Sequence, residues 1–185
     1  MAVLGFLPGV RSRRHERVGF ALYTQVAALA RTPALFLEYG IPDTLDGRFD
    51  ALVLFSFLLM DRLRLAPPPG PALAQAVFDA MFADLDVTLR EMGAGDPTVP
   101  RKMKAMWDAL HGRALVYRAA LASDDLPALA EALSRNAWRG TPPTPEAPIA
   151  LANLARAQVV HLAQQDDAAL ASGVVSFLPI ASVAP

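Results

Sequence analysis

The chain has 185 residues, 54 % of them hydrophobic, a formal net charge of −1 and no cysteine. Such a length suits one domain whose core needs no disulfide or metal to fold. The missing cysteines exclude disulfides, thiolate metal sites, iron–sulfur clusters, covalent haem attachment and a cysteine nucleophile, and the near-neutral charge gives no electrostatic case for nucleic acid.

Residues 1–10, MAVLGFLPGV, precede Arg11, Arg13, Arg14 and Arg17. A signal peptide has its charges before its apolar region, so the order is wrong, and residues 1–12 read as a flexible basic arm. Val18, Leu22, Val26 and Leu29 predict a helix over 13–31. Thr32-Pro33 starts a short helix that ends at Gly40. Asp43 then reads as the cap of the most apolar helix, 44–65. Its uncharged run, Ala51–Met60, falls short of the about 20 residues of a membrane span and reads as buried helix. Pro67, Pro68, Pro69 and Pro71 end it.

A helix over 72–92 follows, with Leu73, Val77, Phe78, Met81, Phe82, Leu85, Leu89 and Met92 on one stripe and Gly93 as its stop. Asp96-Pro97 restarts a helix striped by Val99, Met103, Met106, Trp107, Leu110, Ala114, Tyr117 and Leu121. Asp124 or Asp125 caps a shorter helix ending at Gly140, the proline-rich 141–148 is a linker or an extended crossing, and a last helix covers 149–165. The apolar tail, 166–185, is either docked on the body or mobile. The expected fold is all-α, a single-domain irregular bundle of about six or seven helices over 13–165. Phe49, Leu52, Phe57, Leu63, Phe78, Phe82, Met106 and Trp107 are expected in one core.

Candidate chemistry is sparse. Asp108-x-x-His111 has the spacing of carboxylate–histidine di-iron bundles but lacks the second copy and the further glutamates such a site needs. Gly93-Ala94-Gly95-Asp96 is explained by a glycine stop and an Asp-Pro start, with no strand before it to make a phosphate loop. No Ser/His/Asp order or paired carboxylates emerge, so neither an enzyme nor a metal or cofactor site is expected. The stretch Asp43 to Asp50 is more informative. Acids at a helix start suit the dipole, but Gly47 inside the helix costs up to about 1 kcal/mol and suggests another backbone packed close. Arg48 is then a structural strut or a partner contact. Asp79, Asp84, Asp86, Glu91 and Asp96 make one helix acidic, while Arg101, Lys102, Lys104, Arg113 and Arg118 make the next one basic. The two helices either pair by charge or offer a basic face to an acidic partner or phospholipid.

Several strings resemble the ubiquinol–cytochrome c chaperone family. They are Leu22-Tyr23, Ala30-Arg31-x-Pro33, Tyr39-Gly40-Ile41-Pro42-Asp43-Thr44 and Asp46-Gly47-Arg48-Phe49-Asp50. Leu89-Arg90-Glu91-Met92-Gly93 with Gly95-Asp96, Gly112-Arg113 with Tyr117, and Leu133-Ser134-Arg135-Asn136 complete the match, over about residues 20–140. The family often has histidine where this chain has Phe55, so only a packing role carries over there.

The resemblance implies a non-catalytic assembly chaperone that binds newly made cytochrome b and promotes assembly of ubiquinol–cytochrome c reductase (complex III), without a cofactor. A small partner protein, the ribosome or the inner-membrane surface are the further partners it suggests, in a cytoplasmic protein peripheral to that membrane. Candidate client-binding residues are Asp43, Asp46, Arg48, Asp50, Arg90, Glu91, Asp96, Lys102, Arg113, Tyr117, Arg135 and Asn136. The competing readings are a helical cofactor- or lipid-binding carrier, and a ribosome- or membrane-docking adaptor using the basic arm.

Overall fold

The computed structural model describes residues 8–180, with side chains from residue 13 onward. Its helices are α1 (Pro8–Ala30), α2 (Ala34–Leu37), α3 (Leu45–Leu65), α4 (Gly70–Glu91), α5 (Val99–Ala122), α6 (Leu126–Ala137), α7 (Ala147–Ala163) and α8 (Asp167–Ser172). Six are long and two, α2 and α8, are single turns or little more. No strand occurs among the described residues. The all-α single-domain bundle is therefore what forms.

The axis of the molecule is α3. Every residue from Phe49 to Leu59 is buried, as expected for a helix that is apolar on all sides. The α1–α4 pair and the α6–α7 pair both pack on α3, while α5 packs mainly on α6 and less on α4. Phe55 is fully buried within this core, which fits the packing role.

Local chemistry sets the entry to α3. Thr44, not Asp43, is the N-cap, its hydroxyl accepting from Gly47 N at 3.2 Å. Asp43 instead turns outward to Arg48. Gly47 meets the backbone that the sequence anticipates: a Cβ there would lie 2.0 Å from the Pro42 carbonyl oxygen. Asp125 does cap α6, accepting from Ala128 N at 2.9 Å, and Gly93 has the left-handed φ of +82° after α4.

Other expectations shift. Of the proposed arm, residues 1–7 lie outside the described residues, and α1 already begins at Pro8. The stretch Arg13–Leu37 reaches a mean hydropathy of 1.2, enough by length and composition to cross a membrane. Sequence reasoning, drawn to α3, passed it over. In this fold its Leu22, Tyr23, Val26, Ala27 and Ala30 are buried. The tail is docked as far as residue 180, with Leu170, Val175 and Ile180 in the core; residues 181–185 lie outside the described residues.

Trp107 is the clear correction. It is 45 % exposed, whereas Phe49, Leu52, Phe57 and Leu63 are buried and Phe78, Phe82 and Met106 pack against the core half-buried. Met106 and Leu110 take the inward phase of α5, and Trp107, one position past Met106 and so about 100° round the helix, is left at the edge.

Candidate binding surface

Four of the candidate residues meet where α3, α5 and α6 converge. Asp50 is buried, 4 % exposed, and receives Arg113 Nη2 on Oδ1 at 2.6 Å. Arg139, just past α6, lies 2.8 Å from Oδ2 without hydrogen-bond alignment and reaches Asp46 at 3.5 Å. Arg113 also lies over the Phe49 ring, 5.5 Å from its centroid. Burial pushes the Asp50 carboxyl up to about 6, against the lowering pull of the two arginines. Tyr117 sits beside this group, edge-on to Phe57 at 5.8 Å. Its hydroxyl accepts from Asn136 Nδ2 at 2.9 Å, and burial raises it to about 12. Asp50, Arg113, Tyr117 and Asn136 thus knit three helices together from inside.

The other candidates are dispersed over the surface. Arg48 holds Asp43 through two bonds, 2.6 and 3.1 Å, with both side chains 55 % exposed, and lies over the Phe36 ring. Arg90 clips Asp86 at 2.7 Å and Asp96 at 2.6 Å, tying the end of α4 to the following loop. Arg135 pairs with Glu131 one turn before it on α6. Glu91 and Lys102 are exposed. Charge pairing between α4 and α5 does not occur: among the described residues no ion pair joins them. Asp84 turns to Tyr23 at 2.5 Å and Arg31 at 3.7 Å. Lys104 pairs within α5, with Asp108 at 2.8 Å, and Arg113 and Arg118 reach across to α3.

Those two arginines hold α5 at arm's length from α3, and clefts open between the helices. The larger, about 670 Å³, lies among α3, α4 and α5, with Phe57, Met60, Phe78, Trp107, His111 and Leu115 among its walls. Trp107 and His111 stack with ring centroids 3.8 Å apart, and His111 Nδ1 is 2.9 Å from the Trp107 carbonyl oxygen. The smaller, about 410 Å³, lies among α3, α5 and α7. Arg64 and Arg118 border both clefts and converge on Asp61 Oδ1 at 3.1 and 2.7 Å. None of Asp61, Arg64, Trp107 or Arg139 is among the sequence-derived binding candidates, and Arg118 enters there only as part of the basic face of its helix. One signal was available: Leu115 and Val116, exposed side by side, break the amphipathic period of α5.

A family model described as ubiquinol-cytochrome C chaperone matches residues 37–177. Among solved structures, the crystal structure of the Cbp3 homolog from Brucella abortus aligns with a TM-score of 0.82 at 34 % sequence identity, covering 93 % of this chain and 94 % of that one. Comparison with curated proteins gave no match.

Proposed function

The chain belongs to the ubiquinol-cytochrome C chaperone family, and from that premise we propose that it is a non-catalytic assembly factor for ubiquinol–cytochrome c reductase whose client is newly made cytochrome b. The family match carries this reading, because it runs from the end of α2 through α8 and takes in the Asp50 junction and both clefts. The polar residues support it in a second way. Those that converge, Asp50, Arg113, Tyr117 and Asn136, are engaged with one another in the interior, while Trp107, Leu115 and Leu65 face outward. A protein of this build acts by holding, with apolar surface offered to another apolar surface. In this reading it works in the cytoplasm at the face of the inner membrane, with a small accessory protein assisting.

A binding-only factor acts on its client by mass action. Deleting the gene therefore lowers assembled reductase by shortening the life of cytochrome b after its synthesis, with its transcription unchanged. Pulse-labelling in the deletion strain measures this, and overproducing cytochrome b partly restores assembly. Cytochrome b that is made and persists normally without the chain removes it as the client.

A further inference from the structure

The geometry points to the two clefts beside α3 and α5 as one seat for an apolar helix of a client protein, with a carboxylate of that helix received by Arg64 and Arg118. This rests on the chaperone reading and adds where and by what chemistry the client is held.

Continuity comes first. Phe57, Arg64 and Arg118 line both clefts, so the two lie side by side along the C-terminal half of α3 with the arginine pair at their shared border, and together they make the trough. Its walls are apolar and reach solvent: Trp107 is 45 %, Leu115 69 % and Leu65 70 % exposed. Volumes of about 670 and 410 Å³ give room for several large side chains on each side of the arginine pair.

Charge selects the occupant. Both guanidiniums converge on the same oxygen of Asp61, Arg118 at 2.7 Å and Arg64 at 3.1 Å. Asp61 is the only carboxylate among the residues lining the two clefts. Arg62, the other arginine there, is already engaged with Asp167 at 2.7 Å and with the Leu162 and Gln165 carbonyls. One positive charge is thus unbalanced in the middle of an apolar trough, and once a ligand excludes water a carboxylate is its natural complement.

The chain itself shows why the occupant is helical. Its own tail, outside any helix after Gly173, is held by glutamine amides that pair with backbone. Gln25 joins Gly173 O and Val175 N, Gln165 joins both backbone polar groups of Ser176, and Gln158 joins both of Leu178. The trough has no such set; Gln75 is the one amide side chain lining it, and Gln75 bonds Asp79. An occupant must satisfy its own backbone hydrogen bonds, which a helix does.

The test uses the purified full chain and two fluorescein-labelled synthetic helices with the same leucine–alanine face, one bearing a central glutamate and the other a glutamine, compared by fluorescence anisotropy. The glutamate helix binds roughly tenfold tighter, the gain of one charge-assisted hydrogen bond. Arg64→Ala and Arg118→Ala each reduce that preference while still binding the glutamine helix. Asp61 keeps one partner in either variant, so both fold, and circular dichroism checks this. Trp107→Ala and Leu115→Asp weaken both helices, whereas Leu37→Asp, at an exposed leucine outside the clefts, weakens neither.

Equal affinity for the two helices, or a preference that survives both arginine variants, overturns the assignment. So does binding indifferent to Trp107→Ala and Leu115→Asp. Arginine-dependent sedimentation with phosphatidylglycerol vesicles, in place of any glutamate preference, reassigns the trough to lipid. If the preference fails while cytochrome b still depends on the chain in cells, the trough assignment falls alone. If the preference holds and cytochrome b persists without the chain, the trough stands and its client is another apolar protein.

Discussion

At Asp50 two effects oppose each other: burial favours the neutral acid, while Arg113 and Arg139 favour the carboxylate. Burial prevails, and the folded protein holds the Asp50 proton to about pH 6 where the unfolded chain releases it near the ordinary value of 3.8. Between those values the folded state binds more protons, so stability falls as pH rises. The contribution is fully present below the unfolded value and is lost as pH climbs through the folded one, a loss of about 3 kcal/mol at roughly 1.4 kcal/mol per unit. Urea midpoints measured across this window should decline in the wild type relative to Asp50→Asn, which lacks the titration. Arg113→Ala leaves a buried acid short of its closest partner and should cost about 3–5 kcal/mol. Arg48→Ala removes an exposed ion pair and an exposed contact over the Phe36 ring and should shift the thermal midpoint little. Urea and thermal melts of the two variants check the contrast. Arg48 stands among Asp43, Asp46 and Asp50 in the sequence and Arg113 in a basic stretch, yet the fold makes the first a surface residue and the second the buried partner of an acid.

Among the elements, the C-terminal segment shows how a poor helix former is fixed in place. Residues 174–178 have no regular secondary structure after the left-handed Gly173, and they obtain backbone partners from Gln25 on α1 and from Gln158 and Gln165 at α7. Gln158 is wholly buried, so Gln158→Leu strands both the N–H and the C=O of Leu178 and should cost about 2–4 kcal/mol. Gln165→Leu, nearer the surface, should cost less. Hydrogen exchange reads the same contacts: the Val175, Ser176 and Leu178 amides are slow in the wild type, and the Leu178 amide speeds up in Gln158→Leu. At the other end of the tail's contact with α1, Gly19 brings α1 against α4, where a Cβ would lie 2.5 Å from that of Ala76. Gly19→Val should therefore force the two helices apart and lower stability by about 1–3 kcal/mol in urea titration. The glutamines look like ordinary surface residues in the sequence, because a glutamine that pairs with a distant peptide group leaves no local mark.

For the molecule as a whole, α3 is shared by the α1–α4 and α6–α7 pairs, and neither side has a core without it. Unfolding should thus be a single cooperative transition. The two tryptophans allow a direct check, since Trp138 is buried, its indole N–H bonded to the Gly40 carbonyl at 2.8 Å, while Trp107 is exposed. In Trp107→Phe, the Trp138 fluorescence transition should coincide with loss of helix by circular dichroism. Separate midpoints would mean that the α6–α7 side folds on its own.

The helical class, the order of the long helices and the glycine at the close entry to α3 were legible in the sequence, because period, caps and breakers act over a turn or two. The family was legible for a related reason: short strings such as Asp46-Gly47-Arg48-Phe49-Asp50 are local. What only the tertiary structure decided was which charges meet and which apolar residues stay outside. Asp50 finds Arg113 across 63 positions, and Asp61 gathers Arg64 from its own helix and Arg118 from another. Trp107 remains in solvent because α5 leans on α6 and stands away from α3. The last few degrees of helix phase and the tilt of one helix against another come from packing the whole core at once, and no window of the sequence contains them.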